Sequence, residues 1–387
     1  MSLSFFSGLP FFLCLTAVLA LAFLLGILEK PLRWYSLAAT LFFVAAIFWQ
    51  TPIQFFYLVS FCALELILLK GYLSLRKLYG RRERCYCGAL LVSLLPLLLS
   101  KCGEVSTVSF FSFLGVSYLT FKSLQMVIEI YDGVITEFSA VEFVGFLLFF
   151  PSLSSGPIDR SRRFHQDWSK TCSRSEYLQL CGDGLWKLLL GLVYKLVLAS
   201  AFYRAVEFFG ESSAWYAIPG YAYAYGFYMF FDFAGYSLMA VGASYFLGVR
   251  TPDNFRAPFI SRDIKEFWDR WHITLSHWFR DFLFSRFIMK CSRKKWFKTR
   301  LQRACAGFLV NMTVMGMWHG LTPSYLIYGI YHGLLLAAAE GFQKKSKFYK
   351  KYKNTRWYQV LSWFLTLQLV MFGFLIFSGK FWELICG

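Results

Sequence analysis

One ionisable side chain, His319, stands in the apolar run Val314-Met315-Gly316-Met317-Trp318-His319-Gly320-Leu321. A titratable group among residues that could sit in lipid is costly to keep, so it marks a functional site. Imidazole is also the side chain best suited to moving a proton near neutral pH. Taken alone, His319 is accounted for as readily by a polar contact between helices. Its neighbours tilt the reading towards chemistry. Trp318 and Gly320 flank it, and Thr322-Pro323 breaks the helix just beyond. A helix break at membrane depth belongs beside a cavity.

The chain has five histidines. His165 lies in the basic loop Arg162-Arg163-Phe164-His165-Gln166 and reads as a solvated surface residue. His332 precedes Gly333 in a segment rich in Gly and Tyr, where a hydrogen bond to a neighbouring helix explains it as well as chemistry does. His272 and His277 share a segment that mixes charge and aromatics. Five residues apart on one helix, they would diverge by about 140°. That is wrong for the i, i+4 pairing of a helical zinc site, so no metal is expected. Asp232, in Phe230-Phe231-Asp232-Phe233-Ala234-Gly235-Tyr236, reads as a buried carboxylate able to orient either a base or a helix. The sequence contains no Gly-x-Ser-x-Gly elbow, no Walker loop and no dinucleotide fingerprint.

The elements that must hold these residues are apolar. Of 387 residues, 57% are hydrophobic and only 16% charged, against roughly 25% charged in soluble domains. Continuous runs of about 20 apolar residues predict a polytopic helical membrane protein rather than a β-barrel, whose strands would alternate. Candidate crossings are Leu9–Leu28, Trp34–Gln50, Phe55–Leu75, Tyr86–Ser100, Val108–Ile130, Tyr177–Phe208, Ala217–Leu247, Ala304–Met317, Tyr325–Gly341 and Trp357–Phe377. The first lacks a basic start and an Ala-x-Ala-like exit, so it reads as a membrane helix and not a cleaved signal. Val141–Pro151 is apolar but short and runs into a Ser/Gly/Pro exit, which favours a re-entrant segment. Between Arg250 and Arg286 a two-proline loop leads into Ser261-Arg262-Asp263, which looks like an N-cap, followed by one charged and aromatic helix. That helix belongs at an interface or in a protein-lined cavity.

The net charge of +18 lies in short loops between apolar runs. This is the pattern of cytoplasmic loops facing anionic lipid, and it needs no nucleic acid. An acidic cytoplasmic partner fits the same surface. Five basic loops all fall on the cytoplasmic side if Val141–Pro151 re-enters, which puts both termini outside. The ten cysteines are scattered, without a second pair at metal spacing, and are expected as free thiols.

Three segments carry a family resemblance. They are Asn254-Phe255-Arg256-x-Pro258-Phe259, the run from Glu266-Phe267-Trp268 through Arg270-Trp271-His272 to Trp278-Phe279-Arg280-Asp281, and Trp318-His319-Gly320. Together and in this order they resemble the membrane-bound O-acyltransferase family, over most of the chain. Phe113–Lys122, Phe149–Arg160 and Phe231–Ser237 are similar to the members that D-alanylate teichoic acids in Gram-positive bacteria.

The resemblance implies an all-α ring of about 10–11 transmembrane helices with re-entrant segments around a central tunnel. It implies one integral membrane domain, with N-terminal helices over 1–140, a re-entrant and cytoplasmic motif region over 141–303, and the histidine helix with C-terminal helices over 304–387. His319 would be catalytic and His272 would support it. Trp318, Gly320, Trp271, Ser276, Arg270, Asn254 and Asp232 would lie around the substrates. The donor would be a D-alanyl thioester on the phosphopantetheine arm of a small acidic carrier protein, with no cofactor bound by the chain itself. The acceptor would be lipoteichoic acid, directly or through a membrane partner protein, and the location the Gram-positive cell membrane. Carrier docking would use Arg293, Lys294, Lys295 and Lys298 with the apolar Ile288, Met289, Trp296 and Phe297. The alternative within the family is an O-acetyltransferase acting on an exopolysaccharide. A transporter or flippase, with the histidines as proton relays, finds no paired midplane acids or inverted repeat to support it.

Overall fold

A computed structural model describes residues 5–105, 111–212 and 214–386. Among them there is no strand. The helices are α1 (Leu9–Ile27), α2 (Arg33–Phe48), α3 (Pro52–Tyr79), α4 (Glu83–Val105), α5 (Val116–Asp132), α6 (Ala140–Leu148), α7 (Ser161–Ser169), α8 (Arg174–Leu192) and α9 (Ala199–Glu211). They continue with α10 (Ala217–Phe246), α11 (Ile264–Trp268), α12 (Ile273–Phe279), α13 (Ser285–Lys294), α14 (Arg300–His319), α15 (Pro323–Lys345), α16 (Lys347–Tyr352), α17 (Arg356–Phe377) and α18 (Lys380–Cys386). A π-helical stretch, Val193–Leu198, joins α8 to α9.

Five helical stretches among the described residues are long and apolar enough to cross a membrane: Leu9–Ile27, Pro52–Tyr79, Glu83–Gly103, Arg174–Glu211 and Arg356–Phe377. The protein is an all-α polytopic membrane protein. The start of the expected crossing Val108–Ile130 lies outside the described residues, and its remainder is found in α5.

The chain separates into two compact units. The first comprises residues 1–192 and 235–252, the second residues 193–234 and 253–387. In the first unit, a phenylalanine-rich core includes Phe11, Phe43, Phe61, Phe146 and Phe150, all fully buried. The short segment α6 opens on a capping box between Ser139 and Glu142 and ends before Pro151. Its last carbonyls are not left bare. The buried Lys122 ammonium donates to the carbonyls of Phe146 (3.0 Å) and Leu147 (3.2 Å) and to Ser152 Oγ (3.0 Å), a cation at the negative end of a helix. The segment is thus lined by protein, as irregular backbone at membrane depth requires.

The second unit carries the candidate site, and there two expectations are corrected. The helix start falls within Ser261-Arg262-Asp263 as expected, but the charged, aromatic stretch is not one helix. Asp263 is the cap, its carboxylate accepting from the amides of Lys265 (2.9 Å) and Glu266 (3.0 Å). The stretch then breaks between α11 and α12, and His272 sits at the break with φ +44°. The 140° separation of His272 and His277 therefore does not apply. Asp232 is not buried either. Its side chain is 40% exposed and ion-paired with Lys195 of the π-helical stretch.

Candidate active site

His319 is the last residue of α14. That helix starts on a capping box between Thr299 and Gln302 and runs antiparallel to α15. The two pack at backbone distance because both carry glycine where they touch. A Cβ at Gly316 would come within 2.4 Å of the Tyr325 carbonyl oxygen, and one at Gly329 within 2.5 Å of that of Met312. After His319 the chain turns extended at Gly320 and re-enters helix at Pro323, whose missing N–H costs nothing in a first turn. The break fixes His319 at a helix end rather than on a continuous lipid-facing helix.

His272 is held by a loop clamp. The Asn254 carbonyl accepts from the Ile273 amide (2.8 Å). Asn254 Oδ1 accepts from the Thr274 amide (3.3 Å) and hydroxyl (2.6 Å). The Arg270 guanidinium bonds Glu266 (2.7 Å) and the Arg256 carbonyl (3.2 Å), while the Arg256 amide donates to the Arg270 carbonyl (3.0 Å). Left-handed backbone is uncommon for a non-glycine residue. Here both flanks are pinned, which is how such a conformation persists at a functional site.

Both histidines line one cavity of about 50 Å³. Its walls are otherwise apolar and aromatic: Met229 and Phe233 of α10, Trp268, Trp271 and Leu275 of the motif region, Tyr328 of α15, and Phe374 and Phe377 of α17. Phe233 meets the His272 ring edge-on at 4.7 Å between centroids, and Phe377 meets the His319 ring likewise at 5.0 Å. His272, outside the long apolar helices, is 4% exposed. Burial, and secondarily His319 nearby, push its imidazole well below the ordinary histidine range. That direction favours the neutral imidazole. A second cavity of about 320 Å³ shares Trp268 with the first. It is walled by Phe284, Phe308, Met312 and Met315, with Ser276, His277, Arg280 and Asn311 supplying polar groups.

Of the residues singled out from sequence, His319, His272 and Trp271 meet in the small cavity. Trp318 packs on His319 with ring centroids 4.6 Å apart. Gly320 backs the site through Tyr325. Ser276 lines the larger cavity, its hydroxyl donating to the Trp271 carbonyl (3.1 Å). Asn254 and Arg270 hold the backbone, and Asp232 joins neither cavity. Met289 and Trp296 are exposed at the end of α13, with the Lys290 and Lys294 ammonium groups 6.0 and 5.7 Å from the indole centre. Lys295 caps that helix in left-handed conformation, Arg293 and Lys294 are exposed in its last turn, and Phe297 is half-buried. Tyr328, Phe374 and Phe377 were not legible as site residues. On α15 and α17 they look like any other aromatic of an apolar helix, and only the four-residue spacing of Tyr328 and His332 hinted at a shared face.

A family model for MBOAT, the membrane-bound O-acyltransferase family, matches residues 46–382. The teichoic acid D-alanyltransferase of Bacillus subtilis is 39% identical, over 97% of this chain and 98% of that protein. That of Streptococcus thermophilus is 38% identical, over 96% and 94%. More distant is the probable alginate O-acetylase AlgI of Pseudomonas syringae, 31% identical over 69% of this chain and 49% of that protein. With its two histidines in one aromatic cavity and a match over nearly its whole length, the chain belongs to the membrane-bound O-acyltransferase family.

Proposed function

We propose that the protein is a teichoic acid D-alanyltransferase of the Gram-positive cell membrane. It takes D-alanine from the phosphopantetheine thioester of an acidic cytoplasmic carrier and passes it towards lipoteichoic acid hydroxyls. The observation that carries this reading is the pairing of His319 and His272 in a cavity lined otherwise by apolar and aromatic residues, in a chain similar over nearly its full length to teichoic acid D-alanyltransferases. The acceptor is lipoteichoic acid itself or a hydroxyl on a membrane partner protein.

A thioester is already activated, so the protein need only supply a base, an oriented carbonyl and exclusion of water. His319 accepts the proton of the acceptor hydroxyl as its oxygen attacks the carbonyl carbon. The C–S bond then breaks, and the imidazolium returns that proton to the departing thiolate, so no net proton is released. Neutral His272 donates a hydrogen bond to the carbonyl oxygen as charge develops there. The larger cavity, floored by Trp268, receives the donor arm. The basic end of α13 steers the acidic carrier.

General-base assistance is worth about 10² to 10⁴ in rate. His319→Ala in purified, detergent-solubilised protein is therefore expected to lower transfer from loaded carrier by at least 10²-fold with carrier binding intact. Retention of a tenth of the wild-type rate rules the role out. The second reading, acetyl transfer to a polysaccharide, rests on the similarity to the AlgI protein. Competition between loaded carrier and acetyl-CoA separates the two.

A further inference from the structure

A further cavity of the second unit, about 560 Å³, has neither His272 nor His319 in its lining and lies between α11, α15, α16 and α17. Its lining changes character along its length. At the end near the loop joining α16 to α17 stand Arg262, Lys353, Asn354, Tyr349, Tyr358 and Gln359. Deeper, the walls become Leu361, Leu365 and Leu369 of α17 facing Leu335, Ala338 and Ala339 of α15. From Tyr358 to Leu369 the α17 wall rises about 16 Å, half of a hydrocarbon core of roughly 30 Å. The groove is thus one leaflet deep, polar at the loop end and apolar within. Leu361, Leu365 and Leu369 remain 40–51% exposed.

The polar end holds two exposed cations, Arg262 and Lys353. Two carboxylates line it, and both are already engaged. Asp263 caps α11 and accepts from the Gln343 amide (3.1 Å). Glu266 accepts from the Arg262 amide (2.7 Å) and the Arg270 guanidinium (2.7 Å). The Arg262 guanidinium and the Lys353 ammonium have no carboxylate partner among the described residues. Lys350, Lys351 and Arg356 add charge nearby. Two cations and two phenols above a leaflet-deep apolar slot are complementary to a phosphate headgroup carrying an acyl chain.

We propose that this groove is a binding site for an anionic glycerophospholipid of the leaflet facing the basic loops. Arg262 and Lys353 hold the phosphate, and one acyl chain runs along Leu361, Leu365 and Leu369. The site bears on the catalytic segment. Ile264 and Glu266 of α11 line the groove, while Trp268 at the end of the same helix lines both cavities of the active site. The Arg262 carbonyl also accepts from the hydroxyls of Ser362 and Thr366, tying α11 to α17. An occupied groove fixes the helix that carries Trp268.

The test is lipid retention by delipidated wild-type protein in native mass spectrometry, titrated with phosphatidylglycerol or phosphatidylcholine. Arg262→Gln with Lys353→Gln removes two exposed cations and should weaken phosphatidylglycerol retention at least about tenfold, leaving phosphatidylcholine unchanged. Ala338→Trp, which fills the apolar slot, should weaken retention as well. Free glycerol 3-phosphate at millimolar concentration should not compete. Equal retention of the two lipids by wild type, unchanged phosphatidylglycerol retention in the double variant, or full competition by glycerol phosphate overturns the proposal. The readout needs no acyl transfer, so it stands or falls apart from the proposed enzymatic activity.

Discussion

Gly320 offers the sharpest test of how the site is held. Its backbone is extended, at φ 176°, so alanine meets no backbone strain there. What it meets is Tyr325, since a Cβ at Gly320 falls 2.5 and 2.7 Å from two ring carbons. The ring must retreat by about 0.9 Å to restore a 3.4 Å contact. It has little room, because it packs on Phe377 (4.9 Å between centroids) and on His319 (6.0 Å), and Phe377 itself abuts His319. Overpacking of this kind costs about 1–3 kcal/mol of stability. The larger effect should be catalytic, since misplacing a reacting group by about 1 Å can cost 10²-fold. Gly320→Ala should therefore lower the single-turnover rate of acyl transfer from loaded carrier by about 10- to 10²-fold, with carrier affinity, read by fluorescence anisotropy, unchanged. Gly320→Leu should abolish transfer. Replacing the ring in the pair Gly320→Ala, Tyr325→Leu should recover part of the loss, a coupling that a double-mutant cycle measures. Gly320→Ala transferring at the normal rate would refute the packing argument and the placement of His319 that rests on it.

Other perturbations follow from the same geometry. His272→Asn keeps a side chain that tolerates left-handed backbone but moves the donor, so it should fold like wild type and lose about 10²- to 10³-fold in turnover; His272→Ala should lose stability as well, seen as a lower Tm in detergent. Because His272 is held neutral in the fold while a free imidazole protonates near pH 6.5, the unfolded chain binds more protons below that pH, and stability falls on acidification. The Tm of wild type should then drop more between pH 7 and 5 than that of His272→Asn, and equal drops would show that His272 is not the buried neutral group. Asn254→Ala strips the Thr274 amide and hydroxyl of their shared acceptor and should cost about 1–3 kcal/mol in denaturation, with kcat falling more than KM rises. Charge reversal at Arg293, Lys294, Lys295 and Lys298 should slow carrier association and flatten its salt dependence in stopped-flow measurements; unchanged kinetics would move docking to another basic stretch, such as α7 and its flanks with Arg160, Arg162, Arg163, Lys170 and Arg174.

Much of this protein was legible in its sequence because the bilayer leaves few options. Backbone groups in lipid must be satisfied within the segment, so long apolar runs could only be helices, and Leu9–Ile27, Pro52–Tyr79 and Arg356–Phe377 appear close to where the runs lie. His319 was legible for a related reason, since a titratable group beside a proline break stands out against apolar neighbours. The three-dimensional structure alone decided the surroundings. That His272 meets His319 depends on the break after α11, which local pattern hid because charge and aromatics run on through it. That break is set by hydrogen bonds that Ile273 and Thr274 donate to Asn254, nineteen and twenty residues earlier, and no periodicity encodes a contact of that kind. Asp232 shows the converse. Its apolar flanks read as burial, but the residue that satisfies its charge, Lys195, comes from another helix. Sequence spacing reports which face a side chain takes on its own element, whereas partners across elements are chosen by packing. The cavity aromatics Tyr328, Phe374 and Phe377 became site residues only because α15 and α17 bring them to the two histidines.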